Sequence, residues 1–246
     1  MSYVDLLNWK NQGLNLNEIS SLTGKSKDNI YRQYRYHGIE PILLPKINPW
    51  NFAKIYDQND PDGLYVIGLL AADGYLNSKR NGVCIWIQEQ DIELLFRIRS
   101  VLNNEAAPIN RRELPNRKPQ VNLNIGSVEF VSYLGQVYGF TNNKSRELPF
   151  PNHLHNPLPF LRGFMDGDGY IGQGCTFSCG SKNFVDGLLN WVFQRYGYVP
   201  NVQMTGLNKN CYNVNFRKKH TEFIRDLFSF PGLARKTEAF LHYLPN

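Results

Sequence analysis

Leu64-Tyr65-Val66-Ile67-Gly68-Leu69-Leu70-Ala71-Ala72-Asp73-Gly74-Tyr75-Leu76 and Phe160-Leu161-Arg162-Gly163-Phe164-Met165-Asp166-Gly167-Asp168-Gly169-Tyr170-Ile171 say the same thing twice. Each is an apolar helical stretch with one internal glycine that runs into an Asp-Gly pair, and the two aspartates stand 168 − 73 = 95 positions apart. Glycine inside a helix costs roughly 1 kcal/mol against alanine. Close backbone contact between the two helices would compensate at Gly68 and Gly163, and the small Ala71, Ala72 and Gly167 extend the same seam. Gly74 and Gly169 are expected to end the helices as left-handed caps. Around each copy the strand and helix patterns also repeat. Val83–Ile87 precedes a helix over 91–102, and Val121–Ile125 one over 128–138. In the second half, 176–179 precedes a helix over 184–196, and 212–216 one over 221–228. A repeat this long points to two pseudo-symmetric halves and not to a solenoid.

The seam places Asp73 and Asp168 at the C-terminal ends of adjacent helices, where the macrodipole disfavours a carboxylate and like charges add to the cost. A divalent cation between them removes both penalties. Hard oxygen ligands from few protein groups, completed by phosphate and water, describe a magnesium site on a nucleic-acid backbone.

The paired segments resemble the two signature helices of a single-chain LAGLIDADG homing endonuclease, over roughly residues 60–246. Lys144-Ser145 followed by Leu148-Pro149-Phe150-Pro151, and Ser181-Lys182-Asn183, also match that pattern. The resemblance implies an α+β fold of two αββαββα repeats, forming a saddle of antiparallel sheets laid along DNA. It further implies a metal-binding pair of acids that cuts both strands, a role that falls on Asp73 and Asp168. Metal ligation would draw on Asp73, Asp168, Ala72 and Gly167. Magnesium is the expected ion, with calcium or manganese substituting in vitro. Asp166 fills a second acidic position whose counterpart in the first copy is Ala71. For the polar groups that organise water, Gln88 and Glu89 end the first hairpin; for the basic role Lys218 leads, with Lys219 its rival in register.

Alternation along the strands turns Asn122, Asn124, Asn213, Asn215, Trp86 and Ser178 away from the helices, where amides can meet base edges. Lys79, Arg80, Arg111, Arg112, Arg117, Lys118 and Lys209 add loop charge for phosphates. The whole chain carries 27 Lys+Arg against 21 Asp+Glu, a net charge of +6, which suits a polyanion.

Before residue 41 a different text appears. Leu16–Gly24 reads as a short helix ended by glycine, and Ser26 caps a second, basic and aromatic helix over 27–36. The pair resembles the helix-turn-helix of resolvase-like DNA binders, with Lys27, Arg32 and Arg35 as contacts. Prolines and turn residues then suggest a linker. The expected partition is a helix-turn-helix module at 1–45, a linker at 46–62, and half-units at 63–150 and 151–246.

The scattered Cys84, Cys175, Cys179 and Cys211 form no CxxC pair and read as reduced thiols. No stretch approaches the ~20 apolar residues of a membrane span, and the first residues carry no signal pattern. The expectation is a soluble intracellular protein, in the cytoplasm or nucleoid or in an organelle that encodes it. It would act as a monomer on a long, near-asymmetric double-stranded DNA site, in the manner of intron homing by a mobile element. A non-cleaving DNA-binding regulator on the same scaffold and an intron RNA maturase stand as the alternatives.

Overall fold

A computed structural model describes residues 1–41, 49–77, 81–113, 115–172, 174–205 and 211–243 of the chain. The chain divides into two compact units, Met1–Asn48 and Pro49–Asn246.

The first unit holds three helices, α1 (Tyr3–Asn11), α2 (Leu16–Thr23) and α3 (Lys27–Tyr36). Local chemistry sets their ends. Ser2 with Asp5, and Asn15 with Glu18, form reciprocal capping boxes, and Ser26 accepts from the Asn29 amide. Gly24 turns the chain at φ +67, a backbone region that favours glycine. Leu6, Ile19, Ile30 and Tyr34 have no exposed surface, and the Tyr34 hydroxyl donates to the Leu6 carbonyl at 3.0 Å. The first helix was not foreseen. Its sequence has almost no amphipathic pattern, and only Leu6 is buried.

The second unit begins where a linker was expected. Residues 46–48 lie outside the described residues, but Trp50, Phe52 and Ile55 are buried in the main core, around the short helix α4 (Ala53–Tyr56). Residues 50–55 are therefore packed into the unit and do not form a free tether. Asp60 then caps α5 (Pro61–Asp73) through the Gly63 amide at 2.8 Å, with Pro61 in the first turn. From α5 the chain runs through β1 (Gly74–Asn77), β2 (Gly82–Gln88), α6 (Glu93–Val101), β3 (Ile109–Arg112), β4 (Gln120–Gly126), α7 (Val128–Tyr138) and α8 (Lys144–Glu147). The second half repeats this with α9 (Leu158–Asp168), β5 (Gly169–Ile171), β6 (Cys175–Cys179), α10 (Lys182–Tyr196), β7 (Asn201–Thr205), β8 (Cys211–Phe216), α11 (Thr221–Phe228) and α12 (Ala234–Tyr243). Both sheets are antiparallel and have the same order, β1-β2-β4-β3 and β5-β6-β8-β7. The expected αββαββα duplication is present.

At the centre, α5 and α9 lie backbone to backbone. A methyl group added at Gly68 would be driven into the Phe160 carbonyl, and one at Gly163 into the Tyr65 carbonyl. Helices this close need glycine at the crossing. Both helices are central elements: Gly63–Ala71 and Leu158–Asp166 are buried without a break, the latter including the paired Arg162 and Asp166.

The helix ends correct one expectation. Gly74 (φ −75, ψ 155) and Gly169 (φ −95, ψ 161) are extended, not left-handed. Each is already the first strand residue. Glycine is needed there for space, because a Cβ at Gly74 would come 2.6 Å from the Leu70 carbonyl oxygen and one at Gly169 would strike Met165.

Candidate active site

Since α5 and α9 touch along their length, their last residues are delivered together. A Cβ on Gly167 would lie 2.9 Å from Asp73 Oδ2, so one helix tip sits against the other's aspartate. Asp73 is half-buried and Asp168 reaches solvent, although protein is packed about both. Burial, and then the charge of Asp168, push the Asp73 carboxyl up to about 7. Asp168 is also raised, chiefly by the protein around it.

Two buried lysines answer this charge, and sequence reasoning did not assign them the basic role. Lys144 Nζ donates to the carbonyls of Ala71 at 2.6 Å and Ala72 at 2.9 Å, closing the end of α5. Lys236 Nζ donates to Met165 at 2.7 Å, Asp166 at 2.8 Å and Gly169 at 2.7 Å, with Gly167 at 3.4 Å, closing the end of α9. Helix C-termini leave carbonyls without partners and favour cations. Both ammonium groups lower the aspartate carboxyls. Burial pulls Lys236 down to about 8 and moves Lys144 in the same direction. Lys144 lies in a quoted motif, whereas Lys236 sits in α12, a helix that no sequence signal singled out.

Lys218 is exposed on a 3-10 turn after β8, as is its rival Lys219. The lysine charges that act on the two aspartates are those of Lys144 and Lys236. Gln88 stands exposed at the end of β2 opposite Gln120. Asp166 is taken up by packing: its Oδ2 accepts from Tyr65 Oη and the Leu233 amide, both at 2.7 Å, and Arg162 Nη1 lies 3.0 Å from Oδ1. It ties α9 to α5 and does not face the paired acids.

Among the described residues no cluster of three or more His, Cys, Asp or Glu side chains could hold a metal. The fit to a divalent cation rests on hard oxygens. Two crowded carboxylates seek positive charge, and the carbonyls of Ala72 and Gly167 each keep a second lone pair beside the lysine bond.

The polar face of each sheet follows from its register. On the first, Tyr75, Cys84 and Asn124 form one row, Trp86, Asn122 and Asn110 the next, then Gln88, Gln120 and Arg112. The Arg112 guanidinium stacks 4.3 Å over Trp86 and donates to Gln120 at 3.0 Å. On the second sheet, Tyr170, Thr176, Asn215 and Asn201 form one row and Ser178, Asn213 and Gln203 the next. Arg111 departs from the expected set. Its register partner is Val121, on the opposite face, and Glu89 and Glu113 each hold it at 2.5 Å. Arg117 and Lys118 are exposed in the β3–β4 loop, and Lys27, Arg32 and Arg35 are exposed on α3. Lys79, Arg80 and Lys209 lie outside the described residues.

No family model and no curated relative matches the chain. Among solved structures it is similar to the homing endonuclease I-DmoI in complex with DNA and calcium, at 13% identity and a TM-score of 0.49, over 74% of this chain and 97% of that one. I-SmaMI bound to an uncleaved DNA target with calcium ions matches at 10% identity and a TM-score of 0.49, over 75% and 89%. The N-terminal LAGLIDADG domain of DUF199/WhiA matches at 13% and 0.46, over 80% and 98%.

Proposed function

We propose that this protein is a site-specific, divalent-metal-dependent DNA endonuclease of the LAGLIDADG type. The observation that carries the reading is the pair of aspartates, Asp73 and Asp168, set side by side by two helices in backbone contact. A scaffold that only bound nucleic acid would have no use for two crowded carboxylates whose ionisation burial opposes. Held as ligands, both become useful. A bound divalent cation supplies polarisation of the scissile phosphate and a more acidic water.

The chain's own groups have separate tasks in this proposal. Asp73 and Asp168 ligate the ion, with the free lone pairs of the Ala72 and Gly167 carbonyls beside them. Lys144 and Lys236 keep the two helix ends fixed and offset negative charge as a phosphate approaches. The polar rows of the two sheets meet base edges, while Arg112, Arg117 and Lys118 grip the backbone. The Met1–Asn48 unit adds a helix-turn-helix contact through Lys27, Arg32 and Arg35. Two different half-sheets in one chain suit a long, near-asymmetric site bound by a monomer, and magnesium is the ion proposed.

The test is incubation of the purified chain with a randomised DNA library and magnesium, followed by sequencing of the cut ends. Cleavage at a defined site is expected, lost with Asp73→Asn or Asp168→Asn while binding persists. Cleavage undiminished in either variant would remove the assignment. Binding without cleavage by the native chain would favour the regulator reading.

A further inference from the structure

Lys236 belongs to the second half by sequence, yet the segment that delivers it is gripped by the first. Asp91 ends the 3-10 turn Glu89–Asp91 that follows β2. It accepts the Arg235 guanidinium in a fork, Nε donating to Oδ1 at 2.7 Å and Nη2 to Oδ2 at 2.8 Å. Glu93 Oε1 accepts from the Ala234 amide at 2.9 Å. Ala234 is the first residue of α12, so the other half supplies the carboxylate that a helix N-terminus favours. Arg97 follows four residues later on the same face of α6 and donates through Nη1 to the Pro231 carbonyl at 2.7 Å. Asp91 is buried, and Arg235 immediately precedes Lys236 in the chain. The fork therefore fixes the backbone one residue away from the ammonium group that closes α9.

Lys144 is met differently from across the halves. The Ser181 hydroxyl donates to the Leu148 carbonyl in its segment at 2.7 Å, a bond between neutral groups. A charged fork is stronger and more directional than such a bond, so the two lysines are placed by different means. They also weigh on different acids: of the two lysine charges, that of Lys236 lowers Asp73 more and that of Lys144 lowers Asp168 more. A shift of about 1 Å in a group that serves a reacting phosphate can cost as much as 100-fold in rate. We infer that Asp91 and Arg235 form a latch between the two halves that positions Lys236, so that opening it slows the cutting of one DNA strand and spares the other. The inference rests on the nuclease reading above. Asp91 and Arg235 are positioning residues in it, acting through Lys236.

The experiment is single-turnover cutting, by the full chain at saturation in magnesium, of a duplex carrying the site recovered from the library, with each strand labelled separately. In Asp91→Asn one strand should be cut about tenfold more slowly while the other stays within about twofold of native. Affinity for the same duplex in calcium should not change, which separates positioning from binding. Arg235→Gln should slow the same strand, and the double variant should be no slower than the slower single, because both act through one link. Arg235→Lys keeps the charge but loses the fork and should slow that strand by about threefold. Equal slowing of both strands or native rates on both would overturn the inference alone, read in Asp91→Asn or, should that variant not fold, in Arg235→Lys. Additive losses in the double variant would overturn it as well. Failure of the native chain to cut any site would overturn the nuclease proposal, and this inference with it.

Discussion

Asp73 makes the site legible in solution. Its carboxyl lies at about 7 in the folded chain against an ordinary value of 3.8. Between these values the folded state keeps a proton on Asp73 that the unfolded state has released, so this group's contribution to metal-free stability falls as pH rises from about 4 to about 7. Above that range the full cost is present. A cation bound by the deprotonated pair offsets it, so the rise in melting temperature on adding magnesium should be larger at pH 8 than at pH 5.5. Asp73→Asn should flatten the metal-free pH slope, because the amide does not titrate, and should abolish most of the magnesium shift. Thermal melts across pH with and without the ion check both, and an unchanged magnesium shift in the variant would place the ion elsewhere. Lys236 answers the same pair from within the protein. Lys236→Met would strand the carbonyls of Met165, Asp166 and Gly169 and is expected to cost about 3–5 kcal/mol in urea unfolding. Lys144→Met, which strands two carbonyls, should cost less. At this scale the aspartates were readable because they repeat. Lys236 was not, because a lysine in a polar C-terminal helix looks like solvated surface until the chain brings it back to the end of α9.

The helix pair α5 and α9 explains why so much of the fold could be read and where the reading stopped. Gly68 and Gly163 were anomalies in otherwise strong helical text, and the backbone contact they allow is the central packing of the unit. Gly68→Ala or Gly163→Ala should therefore be among the most damaging single-methyl additions in the chain, at about 3 kcal/mol or more, because the obstructing atoms are backbone carbonyls. Chemical unfolding measures the loss. Cleavage should fall with it, since parting the helices parts the aspartates; an alanine variant as stable as the native chain would contradict the close crossing. Strand and helix order followed from pattern, as did the matched ends of α7 and α11. The terminal glycines misled, since Gly after a helix usually signals a left-handed cap and here serves clearance beside Leu70 and Met165. The proline-rich stretch misled similarly. Pro, Asn and Asp report turns but not whether Trp50, Phe52 and Ile55 between them reach a core. Helix α12 escaped because its buried Phe240 and Lys236 make no apolar stripe of their own.

For the molecule as a whole, the meaning of the +6 net charge depends on where it can act. One of the expected phosphate contacts is already paired: Arg111 is held by Glu89 and Glu113. The helix α3 differs: Lys27, Arg32 and Arg35 are exposed, and none of them has an ion pair among the described residues. The small core under that helix gives it a fixed shape, so the charges are presented on a folded surface and not on a tail. If the Met1–Asn48 unit contacts the same DNA as the larger unit, each phosphate it neutralises adds about 0.9 to the slope of log affinity against log salt. Arg32→Ala with Arg35→Ala, made in the full chain, should therefore reduce that slope by up to about 2 and weaken binding most at low salt. Cleavage of saturating substrate should be unchanged, because neither residue lies on the elements that carry Asp73 and Asp168. Affinity titrations at several salt concentrations, paired with single-turnover cutting, separate the two effects. An unchanged slope would confine DNA contact to the larger unit, whereas a lost cutting rate at saturation would tie the small unit to the chemistry itself.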